Sequence, residues 1–100
     1  MNMKIIDLRP GMEHKDLTVG IVELEEPKIV ESNSGIEYRI VEGIIKDETD
    51  EVGLTVWEDK IEKLSGIKSG DEVELKDTFI TSFQGSLSVN VGRDSNIEKV

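Results

Sequence analysis

Short segments rich in β-branched residues, separated by polar turns, recur along the chain and constrain its fold more than any other feature. The alternation is cleanest at residues 87–91, where Leu, Val and Val alternate with Ser and Asn. Such a pattern is typical of a strand with one buried face. The segments predicted as strands are residues 16–24, 37–46, 52–58, a stretch with Val73, Leu75 and Phe79 at one parity, and 87–91.

The connections between these segments have turn chemistry. Pro27 ends the first strand, because proline cannot donate to a sheet ladder. The polar residues 32–35 predict a loop, and the acidic residues 47–50 predict a hairpin turn. Gly20, inside the first strand, is typical of a bend at a barrel corner.

One segment has a different period. Ile61, Leu64 and Ile67 are spaced by three residues, which predicts a short helix with one apolar stripe that ends around Gly66 and Gly70. Five strands with a short helix between strands 3 and 4 is the element order of the OB fold, an all-β barrel. An SH3-like barrel also has five strands but no comparable helix, so it ranks second.

Length and composition set the scale of the domain. With 100 residues, 36% of them hydrophobic, the chain has room for one core. We expect one OB-fold domain over residues 1–100, with residues 1–12 as a lead-in segment whose Ile5, Ile6 and Leu8 cap one end of the barrel. No apolar stretch approaches the ~20 residues of a membrane span. There is no recognisable secretory signal and no cysteine, so a cytoplasmic location is expected.

The acidity of the chain restricts how it could bind nucleic acid. The chain has 22 acidic against 12 basic residues, a formal net charge of −10, which repels a phosphate backbone. This argues against a broad basic face for duplex DNA. Any affinity should be weak to moderate, with a shallow salt dependence, because few phosphates would be neutralised.

The only tryptophan is predicted on the outer face. If Leu54 and Val56 face the core, then Thr55 and Trp57 face out, because side chains alternate along a strand. An exposed indole offers a flat surface on which any base can stack. The alternative is that Trp57 folds over the apolar side of the helix that carries Ile61.

Phe79 and Phe83, the only phenylalanines, bracket a predicted loop at residues 81–85. OB folds use the loop at this place to contact oligonucleotides. Phe83 has polar neighbours and is expected to be an exposed, base-stacking residue. Phe79 has the parity of the preceding apolar residues, so it could stack on a base or belong to the core.

Polar and basic residues are predicted beside the same groove. Ser88 and Asn90 face out from the last strand and could hydrogen-bond a base edge or a phosphate, or only water. Three cations, Arg39, Lys46 and Arg93, are expected near the groove, where arginine can both contact phosphate and stack on a base. Tyr38 adds another aromatic ring, but the sequence leaves open which of Tyr38 and Arg39 faces the groove.

Several motifs together resemble the OB-fold domains of archaeal single-stranded DNA-binding proteins and of replication protein A. They are IIDLRPGM at residues 5–12, DET at 47–49, LTVW at 54–57, GDEV at 70–73 and FQGSLSVNVG at 83–92. The resemblance implies stacking aromatics at Trp57, Phe79 and Phe83, and single-stranded DNA as the ligand in replication or repair. It departs at Asp50, where relatives usually have glycine. Stacking accepts every base, so little sequence preference is expected.

The resemblance also bears on partners. Relatives that work as separate proteins often carry a flexible tail, and the sequence ends at Val100. We therefore expect one module of a longer protein, with further OB modules or replication proteins as partners. RNA stays open as an alternative ligand.

Two other classes of function compete with nucleic-acid binding. An OB module could hold replication proteins together through its acidic surface without touching nucleic acid. An enzyme is not expected, because His14, the only histidine, lies in a polar stretch with no nucleophile motif beside it. The acidic residues 47–51 lack the spacing of a calcium loop, so neither a metal nor a cofactor is expected.

Overall fold

The structure is a computed structural model, and it describes residues 3–100; the first two residues of the predicted lead-in lie outside this range. The strands are β1 (Lys15–Leu24), β2 (Lys28–Glu31), β3 (Glu37–Lys46), β4 (Glu51–Trp57), β5 (Glu72–Phe83), β6 (Ser86–Val91) and β7 (Asn96–Lys99). Short 3-10 helices cover Ile5–Asp7 and Glu58–Leu64. No helix in the described range is long and apolar enough to cross a membrane.

Five of the strands form a closed ring, which confirms the predicted barrel. They pair in the order β1–β3–β4–β6–β5, and β5 returns to pair with β1. The pairs are antiparallel except β4–β6, which is parallel. The 3-10 helix Glu58–Leu64 joins the third and fourth strands of the ring along the chain, as predicted. Strands β2 and β7, which were not predicted, extend the ring by pairing with β3 and β5.

Aliphatic side chains at alternating strand positions fill the interior. Leu54 and Val56 of β4 and Val89 and Val91 of β6 are buried, as the alternation predicts. Full burial of one such side chain stabilises the fold by about 1.5–3 kcal/mol. The apolar stripe of the helical segment packs against this core through Ile61, Leu64 and Ile67.

Strand β1 changes partner at Gly20, the position predicted for a bend. Gly20 pairs with Lys46 of β3 and with Glu72 of β5, so β1 passes from one side of the barrel to the other there. Further along, the register of β1 against β3 is irregular. Beyond this irregularity Gly43 pairs with Leu24, and a Cβ on Gly43 would lie 2.5 Å from the carbonyl oxygen of Glu23, so only glycine fits.

A bulge in β5 reverses the predicted facing of Phe79. Between the pairs Lys15–Thr78 and Leu17–Leu75, β1 has one residue and β5 has two. Asp77 lies in this bulge with φ 53°, a left-handed conformation that Asp tolerates better than most residues. Beyond it Thr78 and Ile80 are buried and Phe79 faces out. The predicted shared facing of Phe79 and Leu75 is therefore wrong, because the bulge shifts the alternation by one residue.

The predicted loop at residues 81–85 is also shorter than expected. Strand β5 continues to Phe83, and only Gln84 and Gly85 connect it to β6. Both have positive φ, 52° and 84°, as in a two-residue type I′ hairpin turn. Phe79 and Phe83 consequently lie on one face of one strand instead of on either side of a loop.

The lead-in segment closes one end of the barrel. Ile5 and Leu8 are buried in the core, as predicted. Ile6 is 57% exposed, so its predicted capping role is wrong; the turn of the 3-10 helix Ile5–Asp7 directs it away from the barrel. The Ile5 N–H donates to Oδ2 of Asp47 at 2.8 Å, which ties the segment to the β3–β4 turn.

Candidate functional site

A groove of about 570 Å³ lies on the outer face of the barrel, over β3, β4, β6 and the end of β5. The strand register explains how its residues meet. Ile40 of β3 pairs with Trp57 of β4, and Thr55 of β4 pairs with Asn90 of β6. Because side chains alternate along a strand, these four lie on the face of the sheet opposite the core. We call this space the outer groove.

Trp57 lines the outer groove and is half-buried. Its indole Nε1 donates a hydrogen bond of 3.0 Å to Oδ1 of Asn90, which directs the ring towards β6, whereas Ile61 packs against the core cluster. Tyr38 packs against the indole edge to face, with ring centroids 5.7 Å apart and planes at 85°. Two neighbours thus hold the ring while part of its surface remains accessible.

Asn90 has a different role from the one the sequence predicts. It lies on the outer face, as expected, but it is only 2% exposed. Its Nδ2 donates to the carbonyl oxygens of Phe79 and Ser88, at 3.1 and 3.2 Å, and to Oγ1 of Thr81 at 3.0 Å. Its Oδ1 accepts the hydrogen bond from Trp57, so both ends of the amide are bound by neighbouring groups. Burial and these hydrogen bonds leave the Asn90 amide little access to a base edge, so its predicted contact with a base stays a prediction. The hydrogen bond to the indole indicates that Asn90 positions Trp57.

Thr55 and Ser88 form the floor of the outer groove. Their hydroxyl oxygens lie 2.9 Å apart and share a hydrogen bond. Thr55 is 8% exposed, whereas Ser88 is half-buried. A hydroxyl can donate and accept at once, so Ser88 retains capacity for a further hydrogen bond.

The two phenylalanines differ in exposure. Phe83 lines the outer groove and is 76% exposed, as predicted. Phe79 is half-buried and lies so close to Gly92 that a Cβ there would be 2.9 Å from its ring. The lack of a side chain at Gly92 therefore makes room for Phe79 on the outer face.

The three predicted cations do not converge. Arg39 is next to Tyr38 on β3, and since Tyr38 shares the face of Trp57, Arg39 points to the other face. Lys46 is at the opposite end of β3, in a hollow that Glu48 and Glu72 also line. Neither Arg39 nor Lys46 belongs to the described lining of the outer groove, because strand alternation and strand length separate them from it. Their contact with nucleic acid stays a prediction.

Arg93 lies close to Trp57 but outside the outer groove. It lines a second hollow that Trp57 and Tyr38 also line. The sequence left the facing of Tyr38 open, and the pairing of Ile40 with Trp57 resolves it: Tyr38 is two residues from Ile40 and shares its face.

Carboxylates line the outer groove, which the sequence did not predict. Glu25 and Glu42 are the charged residues in its described lining. Glu42 forms an ion pair of 2.5 Å with Lys28, and this hydrogen bond, with the charge of Glu42, raises the pKa of Lys28. A strand of nucleic acid could therefore not bind here by neutralising many phosphates, and affinity has to come from stacking and hydrogen bonds.

The acidic turn between β3 and β4 is held together by Asp47. Its carboxylate accepts hydrogen bonds from the backbone N–H groups of Ile5, Thr49 and Asp50 and from the Thr49 hydroxyl. Partial burial acts to raise the pKa of Asp47, but the hydrogen bonds from Thr49, Ile5 and Asp50 outweigh it and lower the pKa. Across residues 3–100 no three acidic or histidine side chains are grouped so that they could hold a metal ion.

Comparison with known proteins agrees with this architecture. Residues 8–99 match the family described as single-stranded DNA binding protein Ssb-like, OB fold. The chain is 32% identical over 97 residues to the single-stranded DNA binding protein Ssb of Saccharolobus solfataricus, a match that covers 97% of this chain and 63% of that protein. The chain thus spans less than two thirds of the length of this relative.

Solved structures show the same fold. The replication factor A related protein from Methanobacterium thermoautotrophicum superimposes with a TM-score of 0.82 at 25% identity, over 100% of this chain and 91% of that one. The second OB-fold domain of replication protein A from Methanococcus maripaludis gives 0.77 at 22% identity, over 100% and 95%. The OB fold and the resemblance to archaeal single-stranded DNA-binding proteins and replication protein A, both predicted from the sequence, are confirmed.

Proposed function

Because the chain belongs to the family of Ssb-like single-stranded DNA binding proteins with the OB fold, we propose that it binds single-stranded DNA in the outer groove by base stacking. Sequence preference is slight, because every base has a flat face that can stack. The protein acts in DNA replication or repair in the cytoplasm, as one OB module, and it binds without catalysing a reaction.

The observation that carries the proposal is the placement of Trp57 and Phe83 in one groove. Both rings line it, and they come from different strands of the same outer face. Stacking a base on one such ring contributes about 1–3 kcal/mol. Two rings in one groove can hold bases of the same strand without any contact to phosphate.

The other side chains act around these two rings. Phe79, beside Gly92, extends the aromatic face along β5. Ser88 offers a hydroxyl to a base edge, with Thr55 as its partner. Asn90 fixes the indole of Trp57. No DNA contact is assigned to Arg39 or Lys46.

One observation favours a second candidate function, an OB module that binds a protein partner instead of DNA. In the part of the chain that the structure describes, the charged residues lining the groove are Glu25 and Glu42, and the whole chain carries a net charge of −10. A basic segment of a partner protein would complement such a groove.

Titration of the Trp57 emission separates the two candidates. Addition of an oligothymidylate should quench the fluorescence of the single tryptophan, because a base stacks on its ring. The matching duplex should leave the emission unchanged, because its bases are already stacked. Unchanged emission with the single strand, together with a response to a basic peptide, would favour the protein partner.

A further inference from the structure

A second hollow shares Trp57 with the outer groove. Its volume is about 520 Å³, and its lining includes Tyr38, Trp57, Lys60 and Arg93. Binding sites for small ligands in proteins measure about 300–1,000 Å³, so the hollow has room for one nucleotide. Trp57 lines both spaces, so a strand stacked on Trp57 can extend from the outer groove into this hollow. We call it the Tyr38 hollow.

Two aromatic rings form a corner of the Tyr38 hollow. The planes of Tyr38 and Trp57 meet at 85°. Asn90 holds the indole by its Nε1, which fixes one side of the corner. The Tyr38 ring supplies a second flat surface, on which a further base can stack.

The Tyr38 hollow also holds the cations that the outer groove lacks. Arg93 is exposed, and no ion pair formed among residues 3–100 includes it. Lys60 is oriented by a hydrogen bond of 2.6 Å from its Nζ to the carbonyl oxygen of Ser95. Glu58 and Asp59 line the same hollow, so its formal charges balance. In the outer groove Glu42 is paired with Lys28, but no cation is in the described lining.

We propose that the Tyr38 hollow is a second subsite for the same DNA strand and holds the nucleotide next to the one stacked in the outer groove. The base lies against the ring of Tyr38, and its phosphate lies beside Arg93 and Lys60. In this arrangement one base stacks in the acidic outer groove, and the phosphate of the next nucleotide lies beside the cations of the Tyr38 hollow. This inference rests on the proposed function, because it requires a strand in the outer groove.

Charge substitution tests the phosphate contact. Arg93→Gln is compared with Arg39→Gln, a matched control with an exposed arginine on the opposite face of β3. Fluorescence anisotropy of a labelled oligothymidylate gives the affinity at several salt concentrations. Arg93→Gln should weaken binding and reduce the magnitude of the log–log salt slope by about 0.7, the value for one phosphate on a single strand. Arg39→Gln should change neither.

Ring substitution tests the base contact. Tyr38→Phe keeps the flat ring and should bind as the wild type does, whereas Tyr38→Leu should bind a long oligothymidylate about fivefold more weakly or worse. Oligothymidylates of about 4 to 16 nucleotides cover the site sizes of single OB folds, and the penalty of Tyr38→Leu should shrink for those too short to fill both spaces. Circular dichroism checks that each variant is folded.

The results distinguish this inference from the function on which it rests. If the wild type binds the single strand but Arg93→Gln and Arg39→Gln behave alike, or Tyr38→Leu binds as tightly as Tyr38→Phe, the second subsite is refuted and the stacking groove stands. If the wild type binds no single strand at all, both fall.

Discussion

Asn90 accepts a 3.0 Å hydrogen bond from the indole nitrogen of Trp57, and its own amide nitrogen donates to oxygens of Phe79, Thr81 and Ser88. One buried side chain thus connects the tryptophan of β4 to the strand that carries the phenylalanines. The orientation of the proposed stacking surface depends on this amide.

Asn90→Ala should therefore lower both stability and DNA affinity. The substitution removes the partner of the half-buried indole N–H and the bonds from the amide to oxygens of β5 and β6. An unsatisfied buried polar group costs about 1–3 kcal/mol. Urea unfolding followed by circular dichroism measures the loss. Asn96→Ala is the matched control: its amide donates to the exposed Glu98, so a change within about 0.5 kcal/mol is expected. Equal stability of Asn90→Ala and wild type would contradict the assigned role.

Gly92→Ala should displace Phe79. The added Cβ would lie 2.9 Å from the ring, so the ring has to move, and overpacking of this kind costs about 1–3 kcal/mol. DNA affinity should fall with it. Gly20→Ala serves as control, because the nearest atoms to its Cβ would be 3.9 Å away. Thermal unfolding and oligothymidylate binding of the two variants give the comparison; equal behaviour of both would disprove the contact.

Phe83→Ala should separate binding from stability. The side chain is 76% exposed, so its removal should change the unfolding free energy by no more than about 0.5 kcal/mol. The loss of one stacked base should weaken DNA binding by about 1–3 kcal/mol. Ile6→Ala, at another exposed apolar position, should affect neither. Unchanged DNA affinity of folded Phe83→Ala would remove Phe83 from the site.

The Asp47 turn should make the fold sensitive to acid. An aspartate with a lowered pKa in the folded state adds stability that is fully present above its unfolded pKa of about 3.9 and is lost as the pH falls through the folded pKa. Asp47→Asn should therefore be less stable than the wild type at neutral pH, and the difference should shrink below about pH 4. Asp94→Asn, at an exposed position, controls for the loss of one negative charge. A difference that stays constant from pH 7 to pH 3 would contradict the assignment.

Alternation along strands is sufficient to predict the barrel and the facing of Trp57. In β4 and β6 no bulge interrupts the register, so the period of two holds over the whole strand. In β5 the period of two fails at Asp77. Its left-handed backbone conformation cannot be deduced from the hydrophobic pattern. The sequence gives one indication of the bulge: Ile80 is apolar, but its position in the alternation is one residue out of phase with that of Leu75.

The composition of the outer groove depends on neighbours that are distant in sequence, and this is why single-strand patterns missed it. Asn90 faces outward, yet it is buried because β4 and β5 flank it. Glu25 reaches the groove from beyond the end of β1. The expectation for Arg39 and Lys46 rests on charge alone, and charge carries no information about which face or end of β3 a residue occupies.

Replacement of the indole tests the central claim most directly. Anisotropy of a labelled oligothymidylate, which needs no protein fluorescence, is measured with wild type, Trp57→Phe and Trp57→Ala, each checked for folding by circular dichroism. A stacked base is worth about 1–3 kcal/mol, so folded Trp57→Ala should bind about fivefold more weakly or worse, with Trp57→Phe between the two. Folded Trp57→Ala that binds the single strand as tightly as the wild type would contradict the stacking account.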